Sequence, residues 1–392
     1  MRILIATPHV FAGGAEKAAL NLAHRLNEMG CEVGMATLSL DLENLPSYFG
    51  KLDYILPEEQ IPPSVMDSTS ATMASTFREL YHLTRLLRAH TDDYEIINPC
   101  NFPSYWAAFL AKKSKPTVWT SSEVFGPYNQ TSDLLASSTL FRFALGVGAT
   151  IDRLIVRKGI DDIVTCSEIN SGLIRDRYKR PSHVIPTGVD YDFFSRDLPD
   201  AKEKLGLEES TLLLHVGTLV ERKNQILSIR ALRDLKPSME NVKLALVGSG
   251  PWERRLRKEV QRLGVEEDVI FAGTVSEDTL NLYYHACDVN LFPVVKQTHG
   301  LVPFEALVAG KISVVSRECG AAKFIEENGI GFVMKGLEPA EIAEMTKYAL
   351  THEDEVRDMV ERGKRFVEEN LTWKVYADRM HGLFQEALSK HA

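Results

Sequence analysis

The feature that most constrains this chain is a repeated unit. A short unbroken apolar run is followed by a glycine turn and then by a segment with helical apolar spacing. Arg2-Ile-Leu-Ile-Ala6 is the first run. Gly13-Gly14 turns the chain, and the segment from Ala15 to Gly30 places Ala19, Leu22, Ala23 and Leu26 on one helical face. Gly30 ends that helix, and Cys31 to Leu38 supplies the next run. Short apolar runs without polar alternation read as strands buried on both faces. Strands of that kind, joined through helices, pair in parallel with helices on both sides of the sheet.

The unit recurs along the chain. Further strands are expected near Glu95–Asn98, Thr117–Thr120, Asp162–Cys166 and His183–Pro186, with a helix from about Thr76 to His90. Between Leu40 and Ser75 the periodicity fades, and four prolines interrupt it. A second series begins after the polar segment Ser195–Ser210. Its expected strands are Leu212–Val216, Lys243–Val247, Val269–Ala272, Val289–Phe292 and Ile312–Val315, and the end of the chain from Pro339 reads as helix with a break at Asn370–Trp373. A length of 392 residues suits two such domains. The expected division is 1–190, completed by a C-terminal helix at about 373–392, and 191–372. Two doubly wound domains place a ligand cleft between them, at the carboxyl ends of their strands.

Charge and cysteine usage narrow the function classes. The 45 Lys and Arg against 54 Asp and Glu give a formal charge of −9, which argues against a dedicated nucleic-acid binder. The five cysteines are dispersed, with no CxxC pair and no zinc spacing, as expected of free thiols in a reducing compartment. The N-terminus reads as a strand rather than a signal peptide, and no run reaches 18 apolar residues. A cytoplasmic location follows as an expectation. The stretch Leu140–Lys158 mixes apolar residues with Arg153, Arg157 and Lys158. It reads either as a helix packed on the first sheet or as a peripheral contact with the inner face of a membrane.

Four segments carry the candidate chemistry. Gly13 and Gly14 follow a strand and open a helix, where bare amides attract an anion such as phosphate. The spacing is not GxGxxG, and the second strand ends without an acidic residue for a ribose, so a dinucleotide site is disfavoured. A turn with no ligand is the plainer alternative. In the second segment Gly217 is followed by Arg222 and Lys223 before a helix, a pairing of cations and helix amides suited to a diphosphate. Gly248, Gly250 and Pro251 make the third, a strand–turn–helix corner whose glycines allow close backbone approach. The fourth is His299-Gly300-Leu301-Val302-Pro303-Phe304-Glu305, a helix start whose carboxylate can hold a sugar diol. Each segment alone is equally compatible with ordinary structure.

Taken in order, the four segments resemble the retaining glycosyltransferases of family 4, which have the GT-B fold of two Rossmann-like doubly wound domains facing a central cleft. Val164-Thr-Cys-Ser167 and Gly188-Val189-Asp190 add to the likeness, which covers nearly the whole chain. The resemblance implies a nucleotide-sugar donor and a glycan, lipid or other hydroxyl acceptor. It implies that Gly13 and Gly14 line the diphosphate, that Arg222 and Lys223 bind it, and that Gly217 and Gly248 to Pro251 lie at the nucleotide. It further implies that His299 and the amides of Gly300, Leu301 and Val302 belong to the donor site, and that Glu305 holds the ribose. Fixed cations and amides would stabilise the leaving diphosphate in place of a metal, so no cofactor is expected.

The sequence departs from that family at the sugar end. Gln297 stands where the family often has the first of two glutamates, and Ser122 stands where it often has a histidine, leaving Glu123 as the nearest ionisable group. His9 is another substitute, and Lys323 replaces a frequent Glu. These departures keep two other functions in view: a nucleotide-sugar-binding protein with impaired transfer, and an epimerase or phosphorylase on the same scaffold.

Overall fold

In the computed structural model the apolar runs become parallel strands in two separate units. The structure describes residues 1–11, 13–43, 45–63, 69–122, 139–296 and 299–391, with side chains for all but 69–74 and 139–145. One unit comprises 1–187 with 373–392, and the other 188–372.

In the first unit β1 (Arg2–Ala6) leads through α1 (Gly14–Glu28) to β2 (Glu32–Ala36) and β3 (Asp53–Ile55). Then α2 (Thr69–His90), β4 (Ile96–Pro99), α3 (Ser104–Ala111), β5 (Val118–Ser121), α4 (Thr139–Gly159), β6 (Asp162–Thr165), α5 (Glu168–Tyr178) and β7 (His183–Val184) follow. The strands run β3-β2-β1-β4, and single bridges at Ile97–Thr117 and Cys100–Thr120 continue the order into β5-β6-β7. The chain thus moves from β1 to one edge, then from β4 to the other. Right-handed connections put α1 on one face and α2 to α5 on the opposite face. The expected start of α2 near Thr76 falls seven residues late. Its first turns are Thr, Ser, Ala and Met, which show no apolar periodicity.

Asp152 pins three of those helices together. It is fully buried on α4. Its carboxylate accepts from Tyr105 Oη at 2.6 Å, Trp106 Nε1 at 2.9 Å, Tyr178 Oη at 2.8 Å and Arg177 Nη2 at 2.9 Å. Four donors satisfy a charge that would otherwise be prohibitive to bury. Around it Tyr105 stacks on Trp119 with ring centroids 4.3 Å apart.

In the second unit the order is β8 (Thr211–Val216), α6 (Gln225–Leu235), β9 (Val242–Val247), α7 (Glu253–Leu263), β10 (Val269–Gly273), α8 (Glu277–Ala286) and β11 (Val289–Phe292). It continues with α9 (Val302–Val308), β12 (Ile312–Ser316), α10 (Ala321–Asn328), β13 (Phe332–Met334), α11 (Pro339–Thr351) and α12 (Glu353–Asn370). The six strands run β10-β9-β8-β11-β12-β13, all parallel. The sequence reading found five of them; β13 is three residues long and too short to show a pattern. The order reverses between β8 and β11, and the loops after those two strands therefore open the crevice where such sheets bind ligands. The final helix, α13 (Trp373–Ser389), belongs to the first unit and packs on α1.

Candidate functional site

The second unit assembles most of the candidate residues at the reversal point of its sheet. Gly217 ends β8, and a turn at Glu221–Lys223 carries the two cations. That turn is tied to the loop after β11. Val295 N–H donates to Arg222 O at 2.9 Å, and Asn224 Nδ2 donates to Pro293 O at 3.2 Å. Asn224 adopts φ +60°, a left-handed conformation that asparagine tolerates, and so turns the chain into α6. The Lys223 ammonium lies 5.5 Å from the Phe292 ring centroid at the end of β11. Arg222 and Lys223 are thus held by backbone at the mouth of both strands.

His215 underlies this turn from within β8. It is fully buried, and its Nδ1 is 2.9 Å from Ser228 Oγ. Burial, with the nearby charge of Lys223 adding to it, pushes the imidazole down to about 3. A neutral ring therefore supports the cationic turn without adding a charge beneath it.

The glycines of the third segment serve the contact between two loops. Gly248 has φ +132°, and a Cβ there would meet Gly217 O at 2.3 Å. A Cβ on Gly250 would meet Leu219 O at 2.5 Å. Leu219 N–H donates to Ser249 O at 3.0 Å, and Trp252 N–H donates to Leu219 O at 2.9 Å. The bare Cα positions of Gly248 and Gly250 thus face the neighbouring 217–219 loop. Gly250 and Pro251 also border a groove of about 530 Å³ at the start of α7, lined further by Glu253, Arg254, Arg257, Lys258 and Gln261.

In the fourth segment Gly300 lies against Phe292, where a Cβ would meet the ring at 2.8 Å. His299 is buried, with its ring 6.3 Å from that of Phe304. Leu301 precedes α9, Val302 opens it and Pro303 follows in its first turn. Glu305 sits one turn in, half-buried, and its Oε2 accepts from Tyr284 Oη at 2.5 Å. Tyr284 was not singled out by sequence. It is one of two adjacent tyrosines on α8, and only the fold shows which of them reaches the carboxylate. Gln297 lies outside the described residues. Lys323 is exposed on α10 beside Glu327, as a surface lysine.

The first unit holds the remaining candidates. Gly13 caps α1, and the Glu16 carboxylate lies where a Gly13 Cβ would sit, 2.1 Å from it; around Gly14 the equivalent space is open. Ser122 follows β5 and is fixed through its backbone. Its N–H donates to Asn101 Oδ1 at 3.2 Å, and its carbonyl accepts from Asn170 Nδ2 at 3.4 Å. His9 is buried between Ser39, at 2.8 Å from Nδ1, and Glu79, at 3.3 Å from Nε2. Glu123 lies outside the described residues. Among those residues no group of His, Cys, Asp or Glu has the arrangement of a metal site.

Comparison with known proteins bears on the whole chain. Residues 12–193 match the model of Glycosyltransferase Family 4, and residues 198–366 match that of Glycosyl transferases group 1. Alpha-monoglucosyldiacylglycerol synthase of Streptococcus pneumoniae is 30% identical over 159 residues, covering 38% of this chain and 36% of that protein. A GDP-mannose-dependent alpha-(1-6)-phosphatidylinositol monomannoside mannosyltransferase of Mycolicibacterium smegmatis is 29% identical over 207 residues, covering 50% and 54%. The match thus spans about half or less of these relatives' length. The Anabaena protein HepE, solved with UDP and glucose, superposes with a TM-score of 0.79 at 16% identity over 98% of this chain and 99% of that one. At that identity the likeness is one of fold.

Proposed function

The chain belongs to the group 1, family 4 glycosyltransferases with the GT-B fold, and we propose that it transfers a sugar from a nucleotide-sugar donor to a hydroxyl acceptor with retention of anomeric configuration. The observation that carries this reading is the backbone-fixed pair Arg222 and Lys223 at the sheet reversal. Cleaving a sugar–phosphate bond develops negative charge on the departing diphosphate. Cations held in place beforehand stabilise that charge without reorganising during the reaction. Arg222 offers a planar fork for two phosphate oxygens, and Lys223 a point charge beside it. Glu305 accepts from the ribose hydroxyls, and the loops after β8 and β9 flank the nucleotide. No essential metal is required in this reading. In the retaining route a phosphate oxygen of the leaving group takes the acceptor proton as the new bond forms on the same face.

The acceptor in this proposal is lipid-linked or lies at a lipid surface. Twelve large apolar or aromatic side chains are exposed among the described residues, and nine of them lie on α2 to α5. Val147, Ile151 and Leu154 on α4 are 44%, 44% and 50% exposed and follow helical spacing. Phe77 and Tyr81 on α2, Phe109 and Leu110 on α3, and Ile169 and Leu173 on α5 complete the set. The exposed charges between them on α2 and α4 are Arg78, Arg85, Arg88, Arg153, Arg157 and Lys158. The acidic residues described on those two helices are engaged elsewhere: Asp152 is buried, and Glu79 faces His9. On α2 and α4, basic residues around apolar ones, on a chain of net charge −9, match an anionic bilayer. Among the described residues no helix is long and apolar enough to cross a membrane, so the contact proposed is peripheral. Two names among the relatives, a diacylglycerol glycoside synthase and a phosphatidylinositol mannoside transferase, support an acceptor of this class.

A second reading, donor binding without turnover, rests on Ser122 and on the enclosure of His9 between Ser39 and Glu79. Turnover with UDP-, GDP- and ADP-sugars and a panel of lipid and glycan acceptors separates the two. The expected product keeps the donor's anomeric configuration, read from its anomeric proton coupling in NMR. An inverted product contradicts the retaining route. Nucleotide binding with no product across the panel favours the second reading.

A further inference from the structure

We infer that Tyr284 is a positioning residue for Glu305, setting the site's preference for a nucleotide with an intact ribose diol. This rests on the assignment of Glu305 to the ribose and goes beyond it by naming what holds that carboxylate.

Glu305 lies in the first turn of α9, a helix of only seven residues. A glutamate has three side-chain torsions, and an untethered one samples several rotamers. The contact from α8 removes that freedom. Tyr284 is fully buried, and its ring packs edge-on against Phe194 at 5.4 Å. Its hydroxyl therefore sits at a fixed point in space and donates to Glu305 Oε2 at 2.5 Å. A phenol bonded to a charged acceptor makes a short, strong bond. Burial and the negative charge of Glu305 both hold the phenol well above its ordinary range, so it remains a donor. A diol is two adjacent donors with fixed separation, and its recognition depends on the carboxylate plane being set in advance. Tyr284 does not reach the ligand in this scheme; it acts through Glu305.

The arrangement also differs from a purely structural bond. Here the partner is the side chain that the donor site itself employs, one turn behind the loop of Gly300 and Leu301.

The test measures binding of UDP and GDP, and of their 2′,3′-dideoxy counterparts, to the full chain by calorimetry. Wild type, Tyr284→Phe, Glu305→Gln and the double variant are compared. Tyr284→Phe keeps the ring and its packing. It is expected to lose about tenfold in affinity for the ribonucleotide and less than about twofold for the dideoxy form, the scale of one charged hydrogen bond. The double variant is expected to bind no more weakly than Glu305→Gln alone, because the tyrosine acts only through the glutamate. Glu305→Asp keeps the charge but draws the carboxylate back by one methylene. It is expected to match the loss in Tyr284→Phe, and it serves where the tyrosine variant fails to fold. Equal losses for ribo and dideoxy forms, or additive losses in the double variant, overturn the inference. Wild-type affinity in Tyr284→Phe with a loss in Glu305→Gln overturns the role of Tyr284 and leaves that of Glu305. No ribose-specific loss in Glu305→Gln, or no binding of either diphosphate by the wild type, overturns both.

Discussion

The two units share strand order and connection hand but differ in what they leave at the surface. The second unit seals its sheet. Its core runs continuously from Val189 to Leu371, and Tyr348 is its one large exposed aromatic or apolar side chain among the described residues. The first unit leaves nine such side chains on its helices, with exposed basic residues beside those on α2 and α4. Its buried charge lies among those helices, at Asp152, whereas the second unit's cations stand at the strand ends. One scaffold thus supports two kinds of surface. The second unit uses its loops to hold Arg222 and Lys223 at the strand ends. The first ties three helices together from within at Asp152 while leaving apolar side chains exposed on the outside. Fold alone would not separate them, because the difference lies in side chains that the topology does not determine.

Four experiments would break or sharpen that contrast. The largest expected effect is on the internal anchor of the helical layer. Asp152→Ala leaves Arg177 and three buried donors without their acceptor, and should destabilise the first unit by about 3–5 kcal/mol. Denaturant unfolding followed by the tryptophans of that unit checks this, and a change below about 1 kcal/mol would show the layer is held otherwise. Next is Arg222→Ala, expected to cost about 2–4 kcal/mol in the transition state, read as kcat/KM, with the melting temperature little changed. A loss confined to stability would make the turn structural.

Third, Ile151→Glu with Leu154→Glu should abolish co-sedimentation with vesicles containing phosphatidylglycerol, and neutralising Arg153, Arg157 and Lys158 should weaken it in a salt-dependent way. Tyr348→Glu, on the sealed unit, should change nothing. Absence of binding by the wild-type chain ends the membrane reading. The smallest effect is on pH dependence. The folded chain holds His215 at about 3, below its ordinary value of 6.5. Between those values the unfolded chain takes up a proton that the folded one refuses, so stability contributed by the neutral ring is present above about 6.5 and falls as the pH drops toward 3. His215→Gln should flatten part of that fall in thermal melts between pH 7 and 4; an unchanged slope would place the acid sensitivity elsewhere.

Much of this was legible before any coordinates. Runs such as Leu212–Val216 and Lys243–Val247 are strands because nothing polar interrupts them, and glycines after them mark the turns. That Arg222 and Glu305 stand at loop-to-helix junctions after strands was legible because glycine turns precede them. The failures have physical causes as well. The start of α2 was misplaced because Thr, Ser and Ala carry no apolar period. At Gly248 and Gly250 the sequence showed the bare positions but not the 217–219 loop that approaches them. Tyr284 was invisible because its partner lies 21 residues away on another helix. The exposed layer was half legible: Leu140–Lys158 showed mixed character, but only the fold reveals that Val147, Ile151 and Leu154 face outward.

The central claim is that the second unit binds the diphosphate of a nucleotide sugar through Arg222. The most direct measurement is thermal stabilisation of the full chain by UDP-, GDP-, ADP-, dTDP- and CMP-sugars, with Arg222→Ala beside it. Stabilisation by donors of one base, lost or strongly reduced in the variant, is the expected result. Equal stabilisation of wild type and variant, or none by any donor, would contradict the claim.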